Sequence, residues 1–323
     1  MENIETRENS AAAAGTPPLK GAGTGWLPRD PALLRRCAGF VVFLAVVTLI
    51  FGRPLVELVR YALGTDLYSH IVLIPLMSLY LLWVRRSEPQ PRAESSWRWA
   101  AGAGVAGGAM MLFSGWAATR GWDAGRNDVL SITTTAYLCF VVAGLFVFFG
   151  RKLVREHAFS VGLLVFMIPM PEVVTLGITR FFQYTSAEAS YWLLVAAGTP
   201  VLRESALIFG LPGIVIEVAE ECSGIRSSLV LFILSFLAGR LLLQSPWRRA
   251  VLVMAVIPLG VFRNALRIVT ISLLCVHVDP IMINSAVHRR GGPVFFAVSL
   301  VPFFFLLWWL RRSETRRDHG KQT

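Results

Sequence analysis

The sequence predicts an all-α polytopic membrane protein with about eight transmembrane helices. Three observations predict it. Of 323 residues, 55% are hydrophobic and 16% charged, with a mean hydropathy of +0.59, whereas soluble domains carry about 25% charged residues. Apolar runs recur that are long enough to cross roughly 30 Å of hydrocarbon. Charges gather between those runs instead of along one face of each helix, which argues against a soluble helical core. The net charge of +11 would suggest nucleic acid in a soluble protein. Here most Arg and Lys occupy short loops, the positive-inside pattern, so no nucleic-acid partner is expected.

Residues 1–30 contain Ala11-Ala-Ala-Ala-Gly-Thr-Pro-Pro18 and Gly21-Ala-Gly-Thr-Gly25. That composition cannot bury a core and reads as a disordered tail, with no signal peptide expected. Arg29, Arg35 and Arg36 precede the first span, about Ala38 to Val56, and place the N-terminus in the cytoplasm. A short outer segment, Glu57 to Ser69, leads to the second span, His70 to Val84, which ends at Arg85-Arg86. The loop Ser87 to Arg98 is inside. The third span covers Trp99 to Ala117, Thr119 to Asp128 forms an outer loop, and the fourth span runs from Val129 to Phe149. Arg151, Lys152 and Arg155 return the chain to the inside.

The fifth span, Ala158 to Leu176, contains Ile168-Pro-Met-Pro171, which kinks or ends a helix. Thr179 to Ala197 mixes Arg180, Gln183 and Glu188 with aromatics and reads as an amphipathic helix lying at the outer surface. Were it to span, the Arg248 cluster would fall outside. Pro200 to Ala219 is punctuated by Gly and Pro and rich in β-branched residues, which predicts short strands or a hairpin. The sixth span is Ser223 to Leu243, the seventh Val251 to Val276 and the eighth Pro293 to Leu310, followed by Arg311-Arg312 and a basic tail over 313–323. Eight spans put both termini in the cytoplasm and the arginine clusters at 85, 151, 248 and 311 beside them.

The chemistry concentrates in Val218-Ala-Glu-Glu-Cys-Ser-Gly-Ile-Arg-Ser-Ser228, a polar stretch opening into the sixth span. Cys222 follows Glu221 and precedes Ser223 at the N-terminal end of that helix, where partial positive charge stabilises a thiolate. The glutamates oppose this, so a cationic partner is needed. The other cysteines, Cys37, Cys139 and Cys275, lie in or beside apolar runs as small hydrophobes. Four cysteines make no disulfide framework, and neither metal-ligand spacing nor a cofactor motif is present in the sequence.

Arg263, Asn264 and Arg267 lie inside the seventh span, where each arginine costs at least about 2.5–3.5 kcal/mol on insertion scales. Four residues apart, the two arginines share a face. Arg267 lies 18 residues beyond Arg249, roughly 27 Å at 1.5 Å per residue, near the outer edge and level with Cys222. His288 stands in the short outer segment before the last span and has the near-neutral pKa of a proton carrier. His70 closes Asp66-Leu-Tyr-Ser-His70 at the outer end of the second span, as a site-lining or anchoring residue. As alternatives, both arginines suit a transporter or polysaccharide-export component moving an anion, and His288 the base of a membrane acyltransferase.

Glu221-Cys-Ser-Gly-Ile-Arg226, Asn264-Ala-Leu-Arg267 and His288 before Gly291-Gly292 together resemble the exosortase/archaeosortase family, as does Tyr68-Ser-His70 with the helix after it. The resemblance runs from about Asp66 to Leu310 and makes 31–312 one exosortase-like transmembrane domain. It implies a cysteine peptidase or transpeptidase whose Cys/Arg/His triad is Cys222, Arg267 and His288. Arg263, Asn264, Glu221, Ser223 and His70 are supporting candidates, and the extra arginine leaves open which guanidinium acts. No cofactor is implied. The implied partners are membrane lipids and exported proteins bearing a C-terminal motif, transmembrane helix and basic tail. In Gram-negative bacteria these are PEP-CTERM-type proteins, often linked to exopolysaccharide, and the site would face outward from the inner membrane.

Overall fold

The computed structural model describes residues 31–84, 95–121, 125–279, 281–282 and 291–319. The 1–30 tail, the Arg85-Arg86 corner with most of its loop, and His288 lie outside the described residues, as do the side chains of Glu221 and Cys222. Seven helical segments among the described residues are long and apolar enough to cross a membrane, eight if one bent pair counts as a single span. Their outward faces carry bare aliphatic side chains: Leu49 is 80% and Leu112 77% exposed. Such faces belong against lipid, because helices that meet in hydrocarbon bury small residues and polar contacts while leaving leucine outside.

The chain opens with α1 (Pro31–Ile50), which breaks at Phe51 and continues as α2 (Gly52–Gly64). The expected first span ran through this break to Val56. Pro54, which has no N–H to give, sits just beyond it. The segment expected as a short outer connection is instead ordered, first as α2 and then as a 3-10 segment, Asp66–Val72, leading into α3 (Ile74–Val84). Next come α4 (Trp97–Thr119) and α5 (Arg126–Phe148). These two pack closely because Gly107 has no side chain: a Cβ there would stand 3.1 Å from the Ala136 carbonyl and Cys139 Cβ. Aromatic edges tie α1 to the far end of α5, Phe40 lying 5.3 Å from Phe149 between ring centroids.

After α6 (Gly150–Glu156) comes the main departure from the expected order. The fifth apolar run is not one helix. Short α7 (Ala158–Leu163) and a 3-10 turn, Leu164–Met167, stop at Ile168-Pro-Met-Pro171, and α8 (Glu172–Ala196) leaves at 88°. Ten helical residues rise only about 15 Å, so Ala158–Met167 makes the crossing together with α6 before it and Ile168–Pro171 after it: the chain leaves one end of α5 at Phe149, and the Glu172 N–H reaches Asp128 Oδ1 at the other end at 2.9 Å. The amphipathic helix thus begins at Glu172, seven residues before the expected start, with Pro171 as its N-cap. One face is buried, through Thr179, Phe182, Gln183, Ser186, Ala187, Ser190 and Leu194, and α11 packs along this helix.

The predicted strands exist as a three-stranded antiparallel sheet of β1 (Leu202–Arg203), β2 (Ile208–Leu211) and β3 (Ile214–Glu217). Pro212-Gly213 joins β2 to β3, with Gly213 at φ +81 supplying the left-handed position such a turn requires. Phe209, Leu211 and Ile216 face inward and pack with Ala187 and Leu194 of α8 and with Ile268 and Val269 further on. The sheet is therefore wedged between two helices at one end of the molecule.

The chain finishes with α9 (Ile225–Leu242), α10 (Pro246–Met254), α11 (Val256–His277) and α12 (Gly292–His319). Leu231, Leu252, Phe303 and Leu307 form the core joining them. The last helix runs beyond Leu310, where the apolar run was expected to end. Glu314 is buried there and accepts the backbone N–H groups of Gln244 (3.1 Å) and Ser245 (2.9 Å) and pairs with Arg248 (3.3 Å).

Candidate functional site

The polar stretch is delivered by β3. Val218, at the strand's exit, is 2% exposed; its N–H donates to Leu207 O at 2.9 Å. Its carbonyl accepts the Gln183 side-chain amide at 2.6 Å, from the buried face of α8. A backbone carbonyl away from water needs such a donor, and this one fixes where the next residues begin. A 3-10 turn, Glu220–Ser223, follows, then Gly224 at φ +72, ψ 14, then α9. Cys222 therefore sits in a turn just ahead of the helix, at the N-terminal end where it was expected, while the helix itself begins at Ile225 instead of Ser223. The turn rests on α8 and α11.

Gly224 is where the remaining polar residues converge. Arg263, buried on α11, donates from Nη2 to Gly224 O at 2.9 Å and to Ser228 Oγ at 3.2 Å. The same carbonyl accepts Ser228 N at 3.1 Å and Ser227 Oγ at 3.2 Å. A Cβ at position 224 would lie 2.7 Å from Arg263 Nη2 and 3.1 Å from Asn264 Oδ1. Glycine is required there twice: for its left-handed backbone and for the space the guanidinium occupies. Three residues before Arg263, Gly260 does the same for the helices, since a Cβ there would meet Ser228 Oγ at 2.7 Å and Phe182 Cε1 at 3.1 Å. The middle of α8 and the first turns of α9 and α11 meet at that glycine.

Of the expected site residues, the structure brings Arg263 and Asn264 directly against the segment that carries Cys222. Asn264 is 2% exposed. Arg267 is half-buried, one turn further along α11 on the same side. Ser223 is buried at 1%, its Oγ meeting no hydrogen-bond partner among the described residues. His70 is half-buried on the Asp66–Val72 segment, which packs beside α9, and Asp66 pairs with Arg226 at 2.6 Å. Among the described residues no group of His, Cys, Asp and Glu is placed to hold a metal.

A model of the transmembrane exosortase family matches residues 62–305. The chain belongs to the transmembrane exosortase family. Exosortases are membrane cysteine transpeptidases with a role in sorting exported proteins, and this chain is a multi-pass member. The matched region starts within α2 and ends within α12, so it takes in the sheet, the polar turn and both intramembrane arginines. No curated protein and no solved structure matches the chain.

Three residues that hold this exosortase turn in place were not among the expected site residues. Gln183 had a readable signal: Thr179, Gln183, Ser186 and Ser190 recur at helical spacing and put uncharged polar groups on one face of α8, while Arg180 and Glu188 lie off it. Gly224 and Ser228 were visible only as neighbours of the cysteine. Their partner is Arg263, 39 residues from Gly224, a separation that carries no local pattern.

Proposed function

We propose that this exosortase cleaves C-terminal sorting signals of exported proteins through a thioester on Cys222, at the outer boundary of the inner membrane. The observation that carries this reading is the Arg263 clamp on Gly224, two residues beyond the cysteine. It spends a costly buried cation on holding one turn, which suits a turn whose position matters to chemistry.

His288 removes the thiol proton, and the Cys222 thiolate attacks the scissile carbonyl carbon, forming a C–S bond and a tetrahedral oxyanion. Arg267, one helical turn from the clamp, supplies positive charge to the thiolate and then to the oxyanion. The C–N bond breaks as His288 returns its proton to the leaving amine. The thioester then passes its acyl group to water or to an amine acceptor, which regenerates the thiol. The substrate's own helix, docked among the spans, raises the effective concentration of its motif at the turn. Exported proteins of the PEP-CTERM type, linked to exopolysaccharide, are the proposed substrate class. Both termini are proposed to be cytoplasmic. Engagement of Arg263 with Gly224 O and Ser228 Oγ disfavours the alternative in which both arginines line a path for a transported anion.

Cys222→Ala is expected to leave the protein inserted and at normal abundance while the substrate accumulates uncleaved. Unchanged processing in that strain overturns the proposal. Trapping a Cys222-linked acyl species that hydroxylamine releases separates a thioester enzyme from a transporter or a histidine-based acyltransferase.

A further inference from the structure

We propose that the recess at the α1–α2 break, walled by Arg53, Glu57, Arg60 and Arg126, binds the phosphate headgroup of an anionic phospholipid. Arg53, Glu57 and Arg60 follow each other at four- and three-residue steps and so share one face of α2. With Gly52, Val56 and Arg126 they line a recess of about 460 Å³. Arg126 uses the single carboxylate there: its Nε donates to Glu57 Oε1 at 3.2 Å, and its guanidinium lies 4.9 Å from the centre of the Tyr61 ring. Arg53 and Arg60 are exposed and have no ion pair among the described residues. The recess thus holds an excess of two positive charges, at the end of the molecule opposite the loop arginines.

Placement selects a lipid over a soluble anion. The inner face of α2 is fixed by Leu58 and Ala62, both buried. Beside the arginines, Val56, Val59 and Leu63 stand 52%, 41% and 73% exposed. A cationic pocket with an aliphatic wall next to it matches a phosphate above an acyl chain, and the guanidinium fork matches phosphate oxygens bidentately. Arginines beside an aliphatic wall also reach a headgroup by extending their stems. The recess lies on the same end as the Glu220–Ser223 turn, since α2 packs on the Asp66–Val72 segment and Asp66 pairs with Arg226 of α9.

The test uses the full chain purified in mixed phosphatidylglycerol and phosphatidylcholine micelles, with bound lipid counted by native mass spectrometry. The doubly substituted Arg53→Gln, Arg60→Gln protein is expected to retain phosphatidylglycerol roughly ten- to thirty-fold more weakly, about a factor of five per arginine facing an anionic headgroup. Gly52→Phe should do the same without changing charge, because a Cβ at Gly52 meets nothing within 4 Å and the ring would fill the recess. Arg120→Gln, at an exposed arginine stacked on Trp116 at the same end, should retain lipid as the parent does. Equal retention in all four proteins overturns the proposal. So does equal retention of phosphatidylcholine, or displacement of the lipid by inorganic phosphate at matched concentration, which would mark a free-anion site.

Discussion

At the scale of single residues, the site turns on a glycine and an arginine that hold each other in place. Gly224→Ala adds a methyl group 2.7 Å from Arg263 Nη2 and forces a side chain into the left-handed region. The backbone alone costs about 1 kcal/mol, and the guanidinium must then release the carbonyl it holds. Substrate cleavage is expected to fall more than ten-fold, with a lower thermal midpoint in detergent. The two arginines should separate in their effects. Arg267→Gln should move the pH midpoint of Cys222 alkylation upward by about one unit, the effect of removing a nearby cation from a thiolate. Arg263→Lys should lower stability first, because an ammonium cannot reproduce the fork spanning Gly224 O and Ser228 Oγ. Alkylation rates across pH, measured alongside melting curves, distinguish the two. The cost of burying Arg263 was legible in the sequence. Its partner was not, because nothing local in the chain announces a carbonyl 39 residues away.

At the scale of elements, a strand, a turn and three helices are fastened at two points. Gln183 holds the exit of β3, and Gly260 lets α8 and α9 close on α11. Gln183→Leu leaves the Val218 carbonyl buried without a donor, a loss of about 1–3 kcal/mol. Its thermal midpoint should drop and its cleavage should fall, whereas Gln183→Glu, which cannot donate when ionised, should resemble the leucine variant. The strands were legible from Pro212-Gly213 and the β-branched residues around it, and most spans from their apolar runs. The bend at Ile168-Pro-Met-Pro171 was legible as a weak point but not as a right angle. Two prolines remove donors and permit a turn, while its size is set by α8 packing along α11, a contact made far from the prolines.

At the scale of the whole molecule, the Glu220–Ser223 turn precedes α9 and the Arg248–Glu314 pair follows it, so the two sit at opposite ends of that helix. A cysteine introduced at Ser69, an exposed position of the Asp66–Val72 segment, should react with an impermeant maleimide in intact cells. One at Ser95, before α4, should react only after the membrane is opened. The reverse pattern would invert the topology and place the cleavage chemistry in the cytosol.

The final helix carries one more lesson, for anyone who handles the protein. Glu314 lies past the stretch that the family shares, yet it closes the corner between α9 and α10 through two amide hydrogens and a guanidinium. Purification tags and fluorescent reporters grafted after Glu314 must therefore leave that glutamate intact, whereas a deletion from Arg311 onward would unfasten a joint at the far end of α9 from the polar turn.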